Sequence, residues 1–362
     1  MEAYKATNLP VPEKFIDLTS FYDELIDANT KLEVYKEKIR DSKLDSSWFM
    51  PTLQQKEALA SSALEGTQAT LDGVLINQVT PNDKDKNLQE VLNYFNATEV
   101  GLRYLSRKPF SLELIEEIHR ELMQKSTRNN ANEVGVLRTK QNYIGRLDGS
   151  HEVVFIPPVP EDVPSLMKNL VEYACEPKDK LRPLVRAAII HAQFLTIHPF
   201  MDGNGRVGRI LIPLYLFSQR QIDLPCFFVS EALERDKFRY YKLLNDIRTS
   251  DSWNAWIKFF LKTVTAQCEK YIGIISRINT LYDETVHNAC QLVRSGKVVD
   301  IINLLYKYPI ITATMVTKKT DLSAATVNRY LNILVENNIL YTNQKTRNRN
   351  FYYYDLLDIL RE

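Results

Sequence analysis

Apolar residues recur at i, i+3 and i+4 through most of this chain, the spacing of amphipathic helices. LQEVLNYFNATEVGLRYL, SLELIEEIHRELMQ, VPSLMKNLVEYAC, LRPLVRAAIIHAQFLTI, RVGRILIPLYLFSQR and LERDKFRYYKLLNDIR all carry it. The pattern predicts a mainly α chain, helical from about 88 to 280, with one or two long helices over 251–295. Upstream, PTLQQKEALASSALEG sets Leu59 and Ala63 among good helix formers, and Gly66 follows as a helix stop. PNDKDKN at 81–87 reads as a charged connection. One stretch breaks the rhythm. Residues 135–164, GVLRTKQNYIGRLDGSHEVVFIPPVPEDVP, hold two short β-type runs around LDGS, and prolines close the stretch before the next helix. A hairpin with no sheet to join points to service at a site, although composition fits an ordinary surface loop equally well. From about 298 the order becomes helix, short helix, turn, helix (SAATVNRYLNILVENN) and a two-stranded wing, the pattern of a winged helix-turn-helix.

Composition adds few constraints. The 362 residues exceed one ordinary core, and 44% hydrophobic with 25% charged residues is globular usage. With 46 Lys and Arg against 45 Asp and Glu, the chain as a whole is no electrostatic glue for nucleic acid or acidic lipid. Residues 297–362 carry nine basic against six acidic residues, a mild net of +3. No apolar run reaches signal-peptide or transmembrane length, so we expect no membrane association. Cys175, Cys226, Cys268 and Cys290 form no CxxC pair and read as small buried hydrophobes in a reducing, cytoplasmic setting.

The chemistry concentrates in HAQFLTIHPFMDGNGRVGR at 191–209. An apolar helix ends at Ile197–His198, a loop of small and polar residues follows, and a second helix starts near Gly205. Gly203 and Gly205 allow positive φ, so successive N–H groups can face one concavity, with the positive end of the next helix behind them. Such a nest binds phosphate, yet no Lys-Ser/Thr follows the glycines as in a Walker A loop. Arg206 and Arg209 share a helix face and can reach adjacent phosphates. Asp202 is a hard oxygen donor suited to Mg²⁺. His198 stands at the entrance as a general-base candidate. Pro199 and Phe200 read as loop anchors. His119 and His191 lie in periodic helices and read as packing or local hydrogen-bonding groups.

HPFMDGNGRVGR matches, at every defined position, the HPFx(D/E)GNGRxxR motif of the Fic family, and the resemblance extends over most of the chain. It implies a helical Fic core with a β-hairpin flap and transfer of AMP from ATP to Ser, Thr or Tyr hydroxyls of a target protein. By the resemblance His198 takes the hydroxyl proton and Asp202 holds Mg²⁺. ATP contacts fall on Glu65, Gly203, Asn204, Gly205, Arg206, Val207, Gly208 and Arg209. Of the two arginines, Arg206 meets the outer phosphates and Arg209 the γ-phosphate. Tyr240 and Tyr241 contact adenine, and the hairpin docks the target segment through Ile144, Gly145 and Phe155. SSALEG at 61–66 matches the family's inhibitory motif (S/T)xxxE(G/N) through Ser61, Glu65 and Gly66. That implies autoinhibition in cis, with Glu65 occupying Arg209. A glutamate at a helix C-terminus otherwise sits against the dipole.

These readings divide the chain into an N-terminal Fic-associated region with the inhibitory helix (1–90), a catalytic core (91–280) and a winged helix (295–362). Wing residues Lys345, Arg347 and Arg349, with Arg329, are the candidates for DNA phosphates, and a homodimer is the expected assembly. Two alternatives stay open: a nucleotide-sensing DNA-binding regulator, and an enzyme that removes AMP.

Overall fold

The computed structural model describes residues 2–362 except 43, 45, 81–84, 125–132, 146–152, 224–226 and 344–348. The LDGS turn, His151, Cys226, Lys345 and Arg347 therefore lie outside the described residues. In chain order the helices and strands begin with α1 (Tyr22–Arg40), α2 (Ser46–Leu64), α3 (Leu71–Val79), α4 (Lys86–Leu105) and α5 (Leu112–Leu122). The hairpin strands β1 (Ile144–Gly145) and β2 (Val153–Phe155) follow. Then come α6 (Val163–Cys175), α7 (Pro183–Ile197), α8 (Asn204–Ser218), α9 (Ser230–Arg235), α10 (Lys237–Ser250) and α11 (Trp253–Val293). The C-terminal part holds α12 (Val298–Lys307), β3 (Ile310–Thr312), α13 (Ala313–Lys319), α14 (Ala324–Glu336), β4 (Tyr341–Thr342), β5 (Asn350–Tyr352) and α15 (Tyr354–Arg361). The fold is mainly helical, with two small antiparallel sheets. The periodicity over 251–295 is realised as one 41-residue helix, α11.

The chain forms two compact units. The first comprises residues 1–33, 60–68 and 90–268, and the second 34–59, 69–89 and 269–362. In the first, α7 is the core helix. Every residue from Ala187 to Ile197 is buried, because LVRAAIIHAQFLTI is apolar on all faces. It packs on α6 and α8, and α5 packs on α8. The close approach of α7 and α8 depends on Gly208, where a Cβ would lie 3.1 Å from Leu195 and 3.2 Å from Phe194. Trp256 of α11 closes the side of α7 and donates its indole N–H to the Ala188 carbonyl (2.9 Å). The hairpin pairs Ile144 with Phe155 and Gly145 with Val153 across a bulge.

In the second unit β5 pairs with both β3 and β4. α13 packs on α14, and Ser323 caps α14 by accepting from the Thr326 N–H (3.2 Å). Buried hydroxyls of Tyr353 and Thr285 bond at 2.5 Å, and Arg361 grips Asp72 through two donors at 2.7 and 3.1 Å. Among the described residues no helix is long and apolar enough to cross a membrane. Of the cysteines expected to be buried, Cys268 is, Cys290 is half-buried and Cys175 is exposed.

Candidate active site

α7 ends because His198 turns left-handed (φ 52°, ψ 60°). For a non-glycine residue that conformation costs on the order of 1–3 kcal/mol and persists only where surroundings over-determine it. Arg138 does much of the holding. Its Nε donates to the His198 carbonyl (2.9 Å), a terminal nitrogen donates to Pro158 O (2.5 Å), and its backbone N–H donates to Pro199 O (2.9 Å). Asn142 donates to the Phe200 carbonyl (2.9 Å). Phe200 is fully buried and stacks on His119 at 3.8 Å with the rings 3° from parallel.

His119 braces the far side of the loop. The Gly135 N–H donates to its Nδ1 (2.8 Å), so the proton sits on Nε2, which donates to the Asp202 carbonyl (3.1 Å). Burial pushes its pKa down to about 4, which keeps that tautomer neutral. Asn204 completes the turn. Its side-chain oxygen accepts from the Phe200 N–H (2.9 Å) and its amide donates to the Phe200 carbonyl (2.8 Å). The Asn204 side chain thus faces the loop interior, and what remains for an anion is its backbone N–H at the start of α8. Gly203 takes φ 77°, and no side chain caps α8. The first turn therefore lacks a side-chain cap and faces the space that the Glu65 carboxylate reaches over Gly205.

A cavity of 440 Å³ opens beside this turn, within the usual size of small-ligand sites. His198, Gly205 and Arg209 line it from the motif, Glu65 from the end of α2, and Ile144, Gly145 and Val154 from the hairpin. α10 supplies Phe238, Tyr240, Tyr241, Leu244, Asn245 and Arg248. Other motif residues lie off the cavity wall. Val207 and Gly208 are buried, Gly208 against α7. Arg206 is buried with its guanidinium 3.6 Å from the Glu90 carboxylate. Asp202 is half-buried, and one carboxylate oxygen accepts from the Gly203 N–H (2.7 Å). Phe155 is buried beneath the hairpin, beside Tyr4 and Arg248.

The electrostatics favour a neutral base. Removal from water pushes the His198 pKa down to about 4; the cations Arg248 and Arg138 add to this, and Glu65 opposes it. Its Nδ1 lies 3.3 Å from the Leu195 carbonyl. A carbonyl only accepts, so Nδ1 carries the proton and Nε2 keeps its lone pair. Tyr240 is fully buried, and its hydroxyl donates to His191 Nε2 (2.9 Å) while His191 Nδ1 donates to the Gly208 carbonyl (3.0 Å). Burial pushes the Tyr240 hydroxyl up to about 12.

Glu65 lies over the start of α8. Its Oε1 accepts from a terminal nitrogen of Arg209 at 2.7 Å. The same oxygen fills the space over Gly205, where a Cβ would come within 2.2 Å of it. Arg209 is fully buried. Its Nε also donates to Ser61 Oγ (2.7 Å), and the nitrogen that bonds Glu65 donates to the Ser61 carbonyl (2.9 Å). Gly66, at φ 89°, lets the chain leave α2 directly after Glu65. Desolvation alone would raise the Glu65 pKa, but Arg209 outweighs it and holds the carboxyl below its ordinary value. Thr67 then donates to Glu90 (2.6 Å), the partner of Arg206. Both motif arginines thus face carboxylates.

A left-handed histidine, a glycine-lined helix start and two arginines paired with carboxylates thus meet in one helical site. A family model described as Fic/DOC family matches residues 109–216, and one described as Fic/DOC family N-terminal matches 22–103. The chain belongs to the Fic/DOC family. Protein adenylyltransferase fic-1 of Caenorhabditis elegans is 28% identical over 221 residues, covering 58% of this chain and 38% of the relative. Protein adenylyltransferase Fic of Nematostella vectensis is 25% identical over 264 residues, covering 67% and 56%. The chain therefore spans between about two-fifths and three-fifths of the length of these relatives. In fold it is similar to a Fic family protein from Desulfovibrio desulfuricans G20, with TM-score 0.59 and 21% identity over 97% of this chain and 98% of that one. Fic-1 of C. elegans gives TM-score 0.52 at 20% identity, covering 71% and 73%.

Arg138, Asn142, Glu90 and Arg248 are site residues that sequence reasoning missed. Arg138 and Asn142 act on backbone carbonyls far along the chain, a role with no residue pattern of its own.

Proposed function

We propose that this protein is an adenylyltransferase that moves AMP from ATP to a hydroxyl of a target protein and is inhibited in cis by Glu65. The observation that carries the reading is His198, its Nδ1 on the Leu195 carbonyl and its Nε2 without a hydrogen-bond partner among the described residues, in a cavity shared with the uncapped first turn of α8. The named activity of the relatives supports it. In the reaction the target hydroxyl oxygen attacks the α-phosphorus and its proton passes to His198 Nε2. An O–P bond forms as the bond from that phosphorus to the bridging oxygen breaks, and pyrophosphate leaves. The N–H groups of Gly205 and its neighbours bind phosphate oxygens, and Arg209 takes the γ-phosphate once Glu65 withdraws. Tyr241 offers aromatic surface to the adenine, and the buried Tyr240 ring backs it with the two centroids 4.9 Å apart. Ile144 and Gly145 offer a strand edge to an extended target segment, a mode tolerant of side-chain identity.

Asp202 is the residue that would hold Mg²⁺. Among the described residues no three metal-binding side chains converge. One half-buried carboxylate suits an ion held mostly by phosphate oxygens and water. When bound, Mg²⁺ supplies neutralisation of charge on the departing pyrophosphate. We also assign the C-terminal α12–β5 segment as a winged helix-turn-helix. Duplex DNA retarded by the protein, but not by Arg329→Ala, is the test of a DNA-binding role.

The test of the main reading is transfer from α-labelled ATP in Mg²⁺, scored by self-labelling and by labelling of a cell lysate. Glu65→Gly is expected to label strongly, and Glu65→Gly with His198→Ala not at all. Absence of label in every variant, with ATP still bound, would overturn the transferase and favour a nucleotide sensor.

A further inference from the structure

Arg248 has an unusual environment for an arginine. It is half-buried at the cavity wall, and none of the described carboxylates lies within ion-pair distance of it. Removal from water pushes its guanidinium down to about 10. Its donors serve the end of α7: Nε to Thr196 Oγ1 (3.2 Å) and a terminal nitrogen to the Leu195 carbonyl (3.2 Å). That carbonyl is the one His198 Nδ1 faces. The guanidinium also lies over the Phe155 ring at 4.0 Å from its centroid. Phe155 is the strand partner of Ile144 in the hairpin. Behind Phe155 stands Tyr4, its ring 5.5 Å away and its N–H donating to the Ile156 carbonyl (3.0 Å).

We propose that Arg248 is a positioning residue that ties the target-docking hairpin to the turn carrying His198, by lying on Phe155 while donating to the Leu195 carbonyl. The inference rests on the transferase reading, in which His198 is the base and the hairpin docks the target. The planar guanidinium suits both tasks, since its face takes the ring and its edge takes the α7 carbonyl. Its fixed charge beside the imidazole also disfavours a second ring proton. The other charged groups facing His198 are Glu65 at the end of α2, which favours protonation, and Arg138 from the loop before β1, which opposes it. Displacing the hairpin moves Phe155, and through Arg248 the strain reaches the carbonyl that orients the base.

The experiment has two arms on the full chain. In the first, ring resonances of the five histidines are titrated by NMR, with His198 assigned by its loss in His198→Ala. Arg248→Met is expected to raise the His198 pKa by roughly one unit, and Arg248→Lys, which keeps the cation, to leave it in place. In the second, self-labelling is followed in the Glu65→Gly chain across a range of ATP concentrations up to saturation. Arg248→Met is expected to slow it by about tenfold and Arg248→Lys to restore most of the rate, with KM for ATP unchanged. Phe155→Leu is expected to slow the Arg248 chain and to add nothing on top of Arg248→Met. A packing role alone would predict the reverse ranking, with Met better than Lys. A His198 titration unmoved in Arg248→Met, or additive effects of Phe155→Leu, would overturn the proposal. A Glu65→Gly parent that transfers no AMP would instead overturn the transferase reading, and the ring titration would still decide what Arg248 does to His198.

Discussion

Replacing Glu65 with glycine removes the acid that holds Arg209 and empties the space over Gly205. The substitution deletes one charge-assisted hydrogen bond of 2.7 Å between Arg209 and a carboxylate that keeps 33% of its side chain accessible. Such bonds contribute about 1.5–3 kcal/mol, and partial exposure trims this to the lower part of the range, about 1.5–2 kcal/mol. If the ion pair must open before the γ-phosphate can reach Arg209, the closed form suppresses transfer by the corresponding Boltzmann factor. Glu65→Gly is then expected to raise the transfer rate by about 10- to 30-fold at subsaturating ATP. Initial rates from α-labelled ATP measure it, with ATP affinity followed in parallel by calorimetry. A rate within twofold of wild type, in a variant that binds ATP at least as well, would show the latch to be inert. It would mean that Arg209 is not limiting, or that Glu65 already leaves the cradle in the resting protein.

Three further outcomes rest on the same geometry. Ser61→Ala removes one of the hydrogen bonds to Arg209 and is expected to raise transfer by roughly twofold to tenfold, less than Glu65→Gly in the same assay. The Glu65 carboxyl is held below its ordinary value, so its latch is present above the unfolded-state pKa and is lost only as pH falls through the lower folded value; the rate ratio of Glu65→Gly to wild type should therefore stay constant from pH 6 to pH 8. His119 and His191 are buried and depressed to about 4 from 6.5, so the unfolded chain takes up protons first; stability should be full above pH 6.5 and fall by a few kcal/mol as pH drops toward 4, read from denaturant midpoints.

Much of the site was legible because it is contiguous. HPFMDGNGRVGR fixes a helix end, a turn and a helix start in twelve residues, and the structure has that local geometry. Glu65 was legible for a related reason, since SSALEG is a second short string. What stayed hidden acts across long sequence distances on main-chain atoms. Arg138 and Asn142 hold carbonyls of a loop some sixty residues downstream, and no spacing rule reports a donor of that kind. Asn204 was legible as a loop residue, but not that its side chain would turn inward to Phe200. Gly208 shows how one glycine run serves two purposes, since its neighbour Gly205 faces the cavity while Gly208 itself admits α7. The division into two units has no signature either, since each is assembled from segments far apart along the chain.

In the proposed mechanism Arg209 serves two states, donating to Glu65 in the one seen here and meeting phosphate in the other. The two halves of the latch therefore differ in their genetics. A lesion at Arg209 removes the restraint and the activity together and is silent as an activator. On that proposal, lesions on the α2 side, at Glu65 or Ser61, are expected to unlock the protein while leaving it able to work. Selection for runaway variants should return changes in that one helix end, whereas selection for inactive ones should return hits scattered through 198–209. The spectrum of spontaneous mutants would read out which carboxylate restrains the chain without any biochemical assay.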